Sequence, residues 1–218
     1  NKNFPWLSAK EIEVDIVPVR ALRVNFVGEL GYELHHPLVY QNLLFDLLMK
    51  AGAEFELKPF GMRAMESMRI EKSYRMWGAE LTTEYSLLES GMDRFFRPEK
   101  GDFPGKDALL EAQKKDPETK FVTLKVDVEK NNTEGLAIAD PMGSEPLFVG
   151  DKMVGRTTSG TYSRTLGHGL ALAFVDPAYA EEGTEMEIEL LQERKPAVVI
   201  PESPVDPENK KLRGVADE

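Results

Sequence analysis

The residues of this sequence best placed to do chemistry are an aromatic ring, a carboxylate and a guanidinium: Phe26, Glu33 and Arg63. The first two lie in RVNFVGELGYELHHP, residues 23–37. There an alternating apolar stretch runs into Gly28-Glu29-Leu30-Gly31, a turn signature, and a second strand-like stretch follows from Tyr32. If those residues form the loop, Val27 stands opposite Tyr32 and Phe26 opposite Glu33. Opposed residues of antiparallel strands project from one face. A ring beside a carboxylate suits a flat heteroaromatic ligand: the ring is a stacking surface, and the carboxylate accepts two parallel hydrogen bonds from ring N–H groups. A slip of one residue separates the pair. The plainer alternative is a solvent-facing Glu33 near a sheet edge. Arg63 falls in the first turn of a helix predicted from Gly61, where the positive end of the dipole disfavours a cation. Either its long side chain reaches water, or it meets an anion or a carbonyl.

Other groups carry less. A histidine between two glycines, Gly167-His168-Gly169, is more often incidental than functional. Glu66, Arg69 and Glu71 read as a charged helix face with i,i+3 pairing. No glycine cluster completes a dinucleotide or P-loop fingerprint. Asn131-Asn132-Thr133 forms a glycosylation sequon that has meaning only in a secreted protein.

The elements that would position the candidates follow from periodicity. Residues 11–18 and 21–27 alternate as half-buried strands. Tyr40, Leu43, Leu44, Leu47 and Leu48 recur at helical spacing up to Gly52. A short strand is predicted at 55–59, a helix from Gly61 to about Met76, strand over 84–97 with a bend at Gly91, and a helix over 106–115. From residue 119 to 200 the pattern is short strands separated by glycine-bearing turns and Asn131-Asn132, as in a small antiparallel barrel or sandwich. The expected fold is therefore α+β, an antiparallel sheet with packed helices over 1–117, followed by an antiparallel β-barrel over 118–204. The proline-rich, charged residues 205–218 are expected to form an extended tail.

Composition excludes several classes. A formal net charge of −11 lacks the basic footprint that nucleic acid or anionic lipid requires. With no cysteine and 3 scattered histidines, neither a disulfide framework nor a metal site is expected. No apolar run reaches the roughly 18–20 residues of a membrane span, and no signal-peptide pattern opens the chain. The expected setting is soluble and cytoplasmic, or the mitochondrial matrix in a eukaryote.

The order of motifs resembles the tetrahydrofolate-binding aminomethyltransferase family, the T protein of the glycine cleavage system and its relatives. The motifs are the hairpin Phe26-Val27-Gly28-Glu29-Leu30-Gly31-Tyr32-Glu33, then Gly61-Met62-Arg63 through Arg69-Ile70-Glu71, then Met76-Trp77-Gly78-Ala79-Glu80-Leu81. Leu88-Glu89-Ser90-Gly91-Met92 and Phe103-Pro104-Gly105-Lys106-Asp107-Ala108-Leu109 follow, and the similarity spans nearly the whole chain. The wording is nearest to the folate-binding part of dimethylglycine and sarcosine dehydrogenases, in which a flavin half oxidises an amine and a folate half takes up the one-carbon unit. The resemblance implies that Glu33 hydrogen-bonds a pterin, that Arg63 is its partner there, and that Phe26 packs on the ligand where many relatives have tyrosine. It also implies tetrahydrofolate as cofactor, FAD in a half of the parent protein preceding Asn1, and a fused or associated flavin domain as partner. The family's key aspartate would also precede Asn1, so no catalytic acid or base is assigned here, and activity of this part alone is left open. A stand-alone aminomethyltransferase and a non-catalytic regulatory protein on the same fold are the alternatives.

Overall fold

Alternation near the start of the chain builds a three-stranded antiparallel sheet, β1 (Ala9–Val14), β2 (Val17–Leu22) and β3 (Glu33–His35), in the order β1-β2-β3. The computed structural model describes residues 2–128 and 140–214. The turn predicted at Asn131-Asn132, with its sequon, lies outside the described residues. The first two strands form a hairpin whose turn contains Asp15 with φ 55°, so the stretch predicted as one strand over 11–18 is split by a tight turn. Val17, Val19 and Ala21 of β2 point one way and are buried against Leu44 of α1 (Gln41–Gly52). Phe4, Leu34, Tyr40 and Leu47 close round them.

Beyond α1 the strand predicted at 55–59 does not form. The chain makes a 3-10 turn over Ala53–Phe55, Glu56 turns left-handed at φ 55°, and the Leu57 amide returns to the Gly52 carbonyl at 3.0 Å. Helix α2 then runs Met62–Glu71. It stops five residues short of Met76, because Ser73 adopts φ 54° and its amide bonds back to the Ile70 carbonyl.

The chain divides into two compact units within α2: Asn1–Arg69 with Glu208–Glu218, and Ile70–Pro207. In the second, the stretch predicted as strand over 84–97 is a run of turns ending in a 3-10 turn at Asp93–Phe95. The cause is local. The Ser86 amide donates to Glu89 Oε2 at 2.8 Å while the Glu89 amide donates to Ser86 Oγ at 3.2 Å, a reciprocal box that starts a helical turn. Helix α3 (Lys106–Ala112) follows.

The rest of this unit is a closed antiparallel barrel of β4 (Lys120–Val126), β5 (Pro146–Val149), β6 (Lys152–Ser163), β7 (His168–Val175), β8 (Glu185–Leu190) and β9 (Glu193–Ile200), in the order β4-β7-β6-β5-β8-β9. Leu124, Val126, Leu147, Val175 and Ile188 fill it, all at 0% exposure. Gly155 and Gly160 sit where a Cβ would collide with the backbone of Phe174 and Pro141, which is why the long strand β6 can curve past its neighbours. His168 pairs with Ser163 across β7 and β6, and its Nδ1 lies 2.9 Å from the Gly169 carbonyl oxygen.

Two expectations about charge are corrected. Glu66 and Arg69 do pair at 2.7 Å, yet Arg69 and Glu71 are buried, so they are not a solvated face. Glu71 instead accepts from Ser163 Oγ at 2.5 Å and Thr165 Oγ1 at 3.1 Å. The described part of the closing segment, through residue 214, is also not an extended tail. Residues 202–205 run beside 71–75, with the Val205 amide on the Glu71 carbonyl at 3.2 Å and Arg75 forked onto Glu202 at 2.5 and 2.7 Å. Helix α4 (Lys210–Arg213) then buries Leu212 in the first unit.

Candidate functional site

Strand β2 ends at Leu22, and the ten residues from Arg23 to Tyr32 form a loop before β3. Arg23 is 2% exposed. Its amide bonds the Ser8 carbonyl at 2.9 Å, and its guanidinium donates to the carbonyls of Phe4 at 2.5 Å and Arg213 at 3.1 Å. Asn25 then takes the chain out of the sheet. Its Oδ1 accepts from the amides of Val27 at 3.0 Å and Gly28 at 2.8 Å, and its Nδ2 donates to the Glu29 carbonyl. This is an Asx-type turn, and Gly28 completes it at φ 76°. A Cβ at Gly31 would stand 3.2 Å from Asn25 Cβ, so the return arm packs directly on the asparagine. At the tip, Lys211 Nζ lies 3.5 Å from Glu29 Oε1; at the base, the rings of Phe4 and Tyr32 are 5.2 Å apart.

The opposed pair read from the sequence is therefore corrected. Glu33 stands opposite Leu22, not Phe26, because the Asn25 turn removes residues 25–29 from the ladder. Phe26 is half-buried within the loop. Glu33 is half-exposed on β3, and its Oε2 lies 3.2 Å from His35 Nε2, two residues along the same face. Arg63 is exposed in the first turn of α2, where the helical spacing put it. The loop supports Arg23 and Asn25 escaped the sequence reading. Asn25-x-x-Gly28 was the available signal for the turn.

The Met76-Trp77-Gly78-Ala79-Glu80-Leu81 step has a plain physical reason. Glu80 is 0% exposed and accepts from the Met76 amide at 2.8 Å, Thr158 Oγ1 at 2.7 Å and Ser159 Oγ at 2.5 Å. Gly78 takes φ 85°, and Trp77 is held outward on the turn. A recess of about 450 Å³ lies on the barrel, lined by Lys125, Asp127, Phe148, Glu185, Glu187 and Val198 among others; none of Phe26, Glu33 and Arg63 lines it. Among the described residues no cluster of three or more His, Cys, Asp or Glu could hold a metal ion, and no helix is long and apolar enough to cross a membrane.

Comparison with known proteins matches two family models, whose boundary falls between residues 100 and 120 and not at the Arg69–Ile70 division of the fold. Residues 1–100 match the GCVT N-terminal domain, and residues 120–206 match the glycine cleavage T-protein C-terminal barrel domain. Human mitochondrial dimethylglycine dehydrogenase is 37% identical over 200 residues, 91% of this chain and 22% of that protein. An aminomethyltransferase of Bacillus mycoides (strain KBAB4) is 35% identical over 191 residues, 87% of this chain and 50% of that protein. The crystal structure of glycine cleavage system aminomethyltransferase T from Bartonella henselae superposes with a TM-score of 0.81 at 22% identity, covering 94% of this chain and 54% of that one. The chain thus spans about half the length of the aminomethyltransferases and about a fifth of the dehydrogenase.

Proposed function

The chain belongs to the glycine cleavage T-protein family, and from that premise we propose that it supplies a tetrahydrofolate-binding part of a folate-dependent one-carbon enzyme, with Glu33, Arg63 and Phe26 as ligand contacts. The observation that carries this reading is the match to both domains in order, with Glu33 on the strand that returns from the glycine-flanked loop. Glu33 fits the role by its own chemistry. A half-exposed carboxylate accepts two parallel hydrogen bonds from a pterin-like ring edge, after yielding its contact with the surface residue His35. Arg63 would donate to a ring carbonyl, and Phe26 would offer packing without a hydroxyl. Tetrahydrofolate carries the one-carbon chemistry; these residues bind and orient it.

Within that reading we favour a dimethylglycine or sarcosine dehydrogenase type, on the 37% identity to the human enzyme. FAD then belongs to a flavin domain, fused or associated, and no residue of this chain is assigned to it. The setting would be the cytoplasm of a bacterium or the matrix of a mitochondrion. A second reading, an aminomethyltransferase taking the carbon unit from a lipoyl carrier, has the 35% identity to the Bacillus enzyme in its favour. Flavin bound to the protein as the cell makes it separates the two.

The test is calorimetric titration with 5-formyltetrahydrofolate. Replacing a charged acceptor by an amide is expected to cost about 1.5–3 kcal/mol, or roughly 10–100-fold in affinity, for Glu33→Gln, and a comparable loss for Arg63→Ala. Wild-type affinity in both variants removes the proposed site and favours a non-catalytic protein on the same fold.

A further inference from the structure

The recess on the outer wall of the barrel has no part in folate binding, and strand register orders its lining. On β9, Val198 stands between Lys125 of β4 and Glu185 of β8. Two residues along, Pro196 stands between Asp127, whose amide donates to the Pro196 carbonyl at 2.9 Å, and Glu187, which is in turn opposite Phe148 of β5. Opposed residues of antiparallel strands share a face, so two short rows cross the wall. Each has an apolar residue in the middle and charged groups on the flanking strands, about 10 Å apart by two strand spacings. Phe148 closes one end. The Arg194 guanidinium lies 4.1 Å from its ring centre, and Arg194 is anchored by the Gly150 carbonyl at 2.6 Å and Glu187 at 3.3 Å. Pro196 forfeits an amide donor inside a closed barrel, and it is exposed, so the barrel interior does not call for it.

The volume, about 450 Å³, falls in the range of small-molecule sites, and an apolar floor with a few charged groups at its margin is how such sites are built. Charge then selects the ligand. Arg194 balances Glu187, which leaves Asp127 and Glu185 against Lys125, an excess of one negative charge. Among the described residues, no side-chain hydrogen bond or ion pair engages any of these three. We propose that the recess binds a small organic monocation, an amine with an apolar body. The body lies over Pro196 and Val198 against Phe148, and the carboxylates of Asp127 and Glu185 attract the ammonium. The inference stands whether or not the chain binds folate.

The experiment titrates the isotope-labelled chain with 2-phenylethylammonium and follows its amide signals by NMR. The expected result is a saturable shift at Lys125, Phe148 and Val198. The neutral 2-phenylethanol should bind at least about tenfold more weakly, and the anion 3-phenylpropanoate more weakly still. Asp127→Asn combined with Glu185→Gln should weaken the ammonium about tenfold. Glu99→Gln, at an exposed carboxylate that does not line the recess, should change nothing. Lys125→Met removes the opposing cation and should tighten binding roughly threefold, a gain that misfolding cannot produce. Four results each overturn the proposal: no saturable shift at these amides, a double variant with wild-type affinity, an alcohol or anion that binds as tightly as the ammonium, or weaker binding in Lys125→Met.

Discussion

Asn25 decides where the first sheet stops and what the candidate site can look like. One side chain holds two amides and one carbonyl of its own loop. Asn25→Ala removes all three bonds and should cost about 1–2 kcal/mol. Exchange of the Val27 and Gly28 amides should accelerate by roughly tenfold or more. Asn25→Asp keeps the acceptor, so those two amides should stay protected; equal loss in both variants would mean the side chain is not what orders the loop. This residue also marks the limit of reading the site from sequence. Glu33 on a strand and Arg63 in a first turn follow from periodicity, and the structure has them there. The partner of Glu33 does not follow. A side chain bonding its own backbone leaves no period in the sequence, so Phe26 was set opposite Glu33 where Leu22 stands.

Elements were legible where one period persisted. The alternation of β8 and the end of β9 separates barrel interior from exterior, whereas β4 and β7 are buried along most of their length. Short strands between glycine-bearing turns allowed a barrel or a sandwich, and the structure is a closed barrel. Residues 84–97 show the opposite case: an apolar, aromatic composition suggested strand, and Ser86-x-x-Glu89 overrode it. Partial burial pushes the Glu89 carboxyl up, but its hydrogen bonds, led by the Ser86 amide, hold it below the ordinary glutamate range. A carboxyl with a depressed folded pKa adds stability above its unfolded pKa, and that stability is lost as pH falls through the folded value. Glu89→Ala should therefore cost about 1 kcal/mol at neutral pH, the usual loss for a removed cap. The gap in melting temperature between wild type and Glu89→Ala should narrow on acidification below the glutamate range. A gap that stays constant or widens in acid would show that the charged form of Glu89 does not hold the turn.

At the scale of the molecule, the two units differ in how they are held. The barrel strands close on themselves, and Ile70 joins Phe121, Leu170, Leu172 and Phe174 in a second buried cluster of the same unit. The first unit has a three-stranded open sheet whose strand β1 is exposed along nearly its whole length. Buried apolar area sets local stability, and opening free energies within one chain run from near zero to the global value. Unfolding should therefore not be a single transition. In rising denaturant, exchange protection should vanish first at Val19 and Ala21 and last at Leu124 and Leu172, with two separable midpoints. Helix α2 is the internal control, because it crosses the division between Arg69 and Ile70. Its last residues, Ile70 and Glu71, should keep barrel-like protection after Ala64 and Met65 have lost theirs. One midpoint shared by all of these amides would mean that the units unfold as one body. Their unequal cores would then say nothing about the order in which they open.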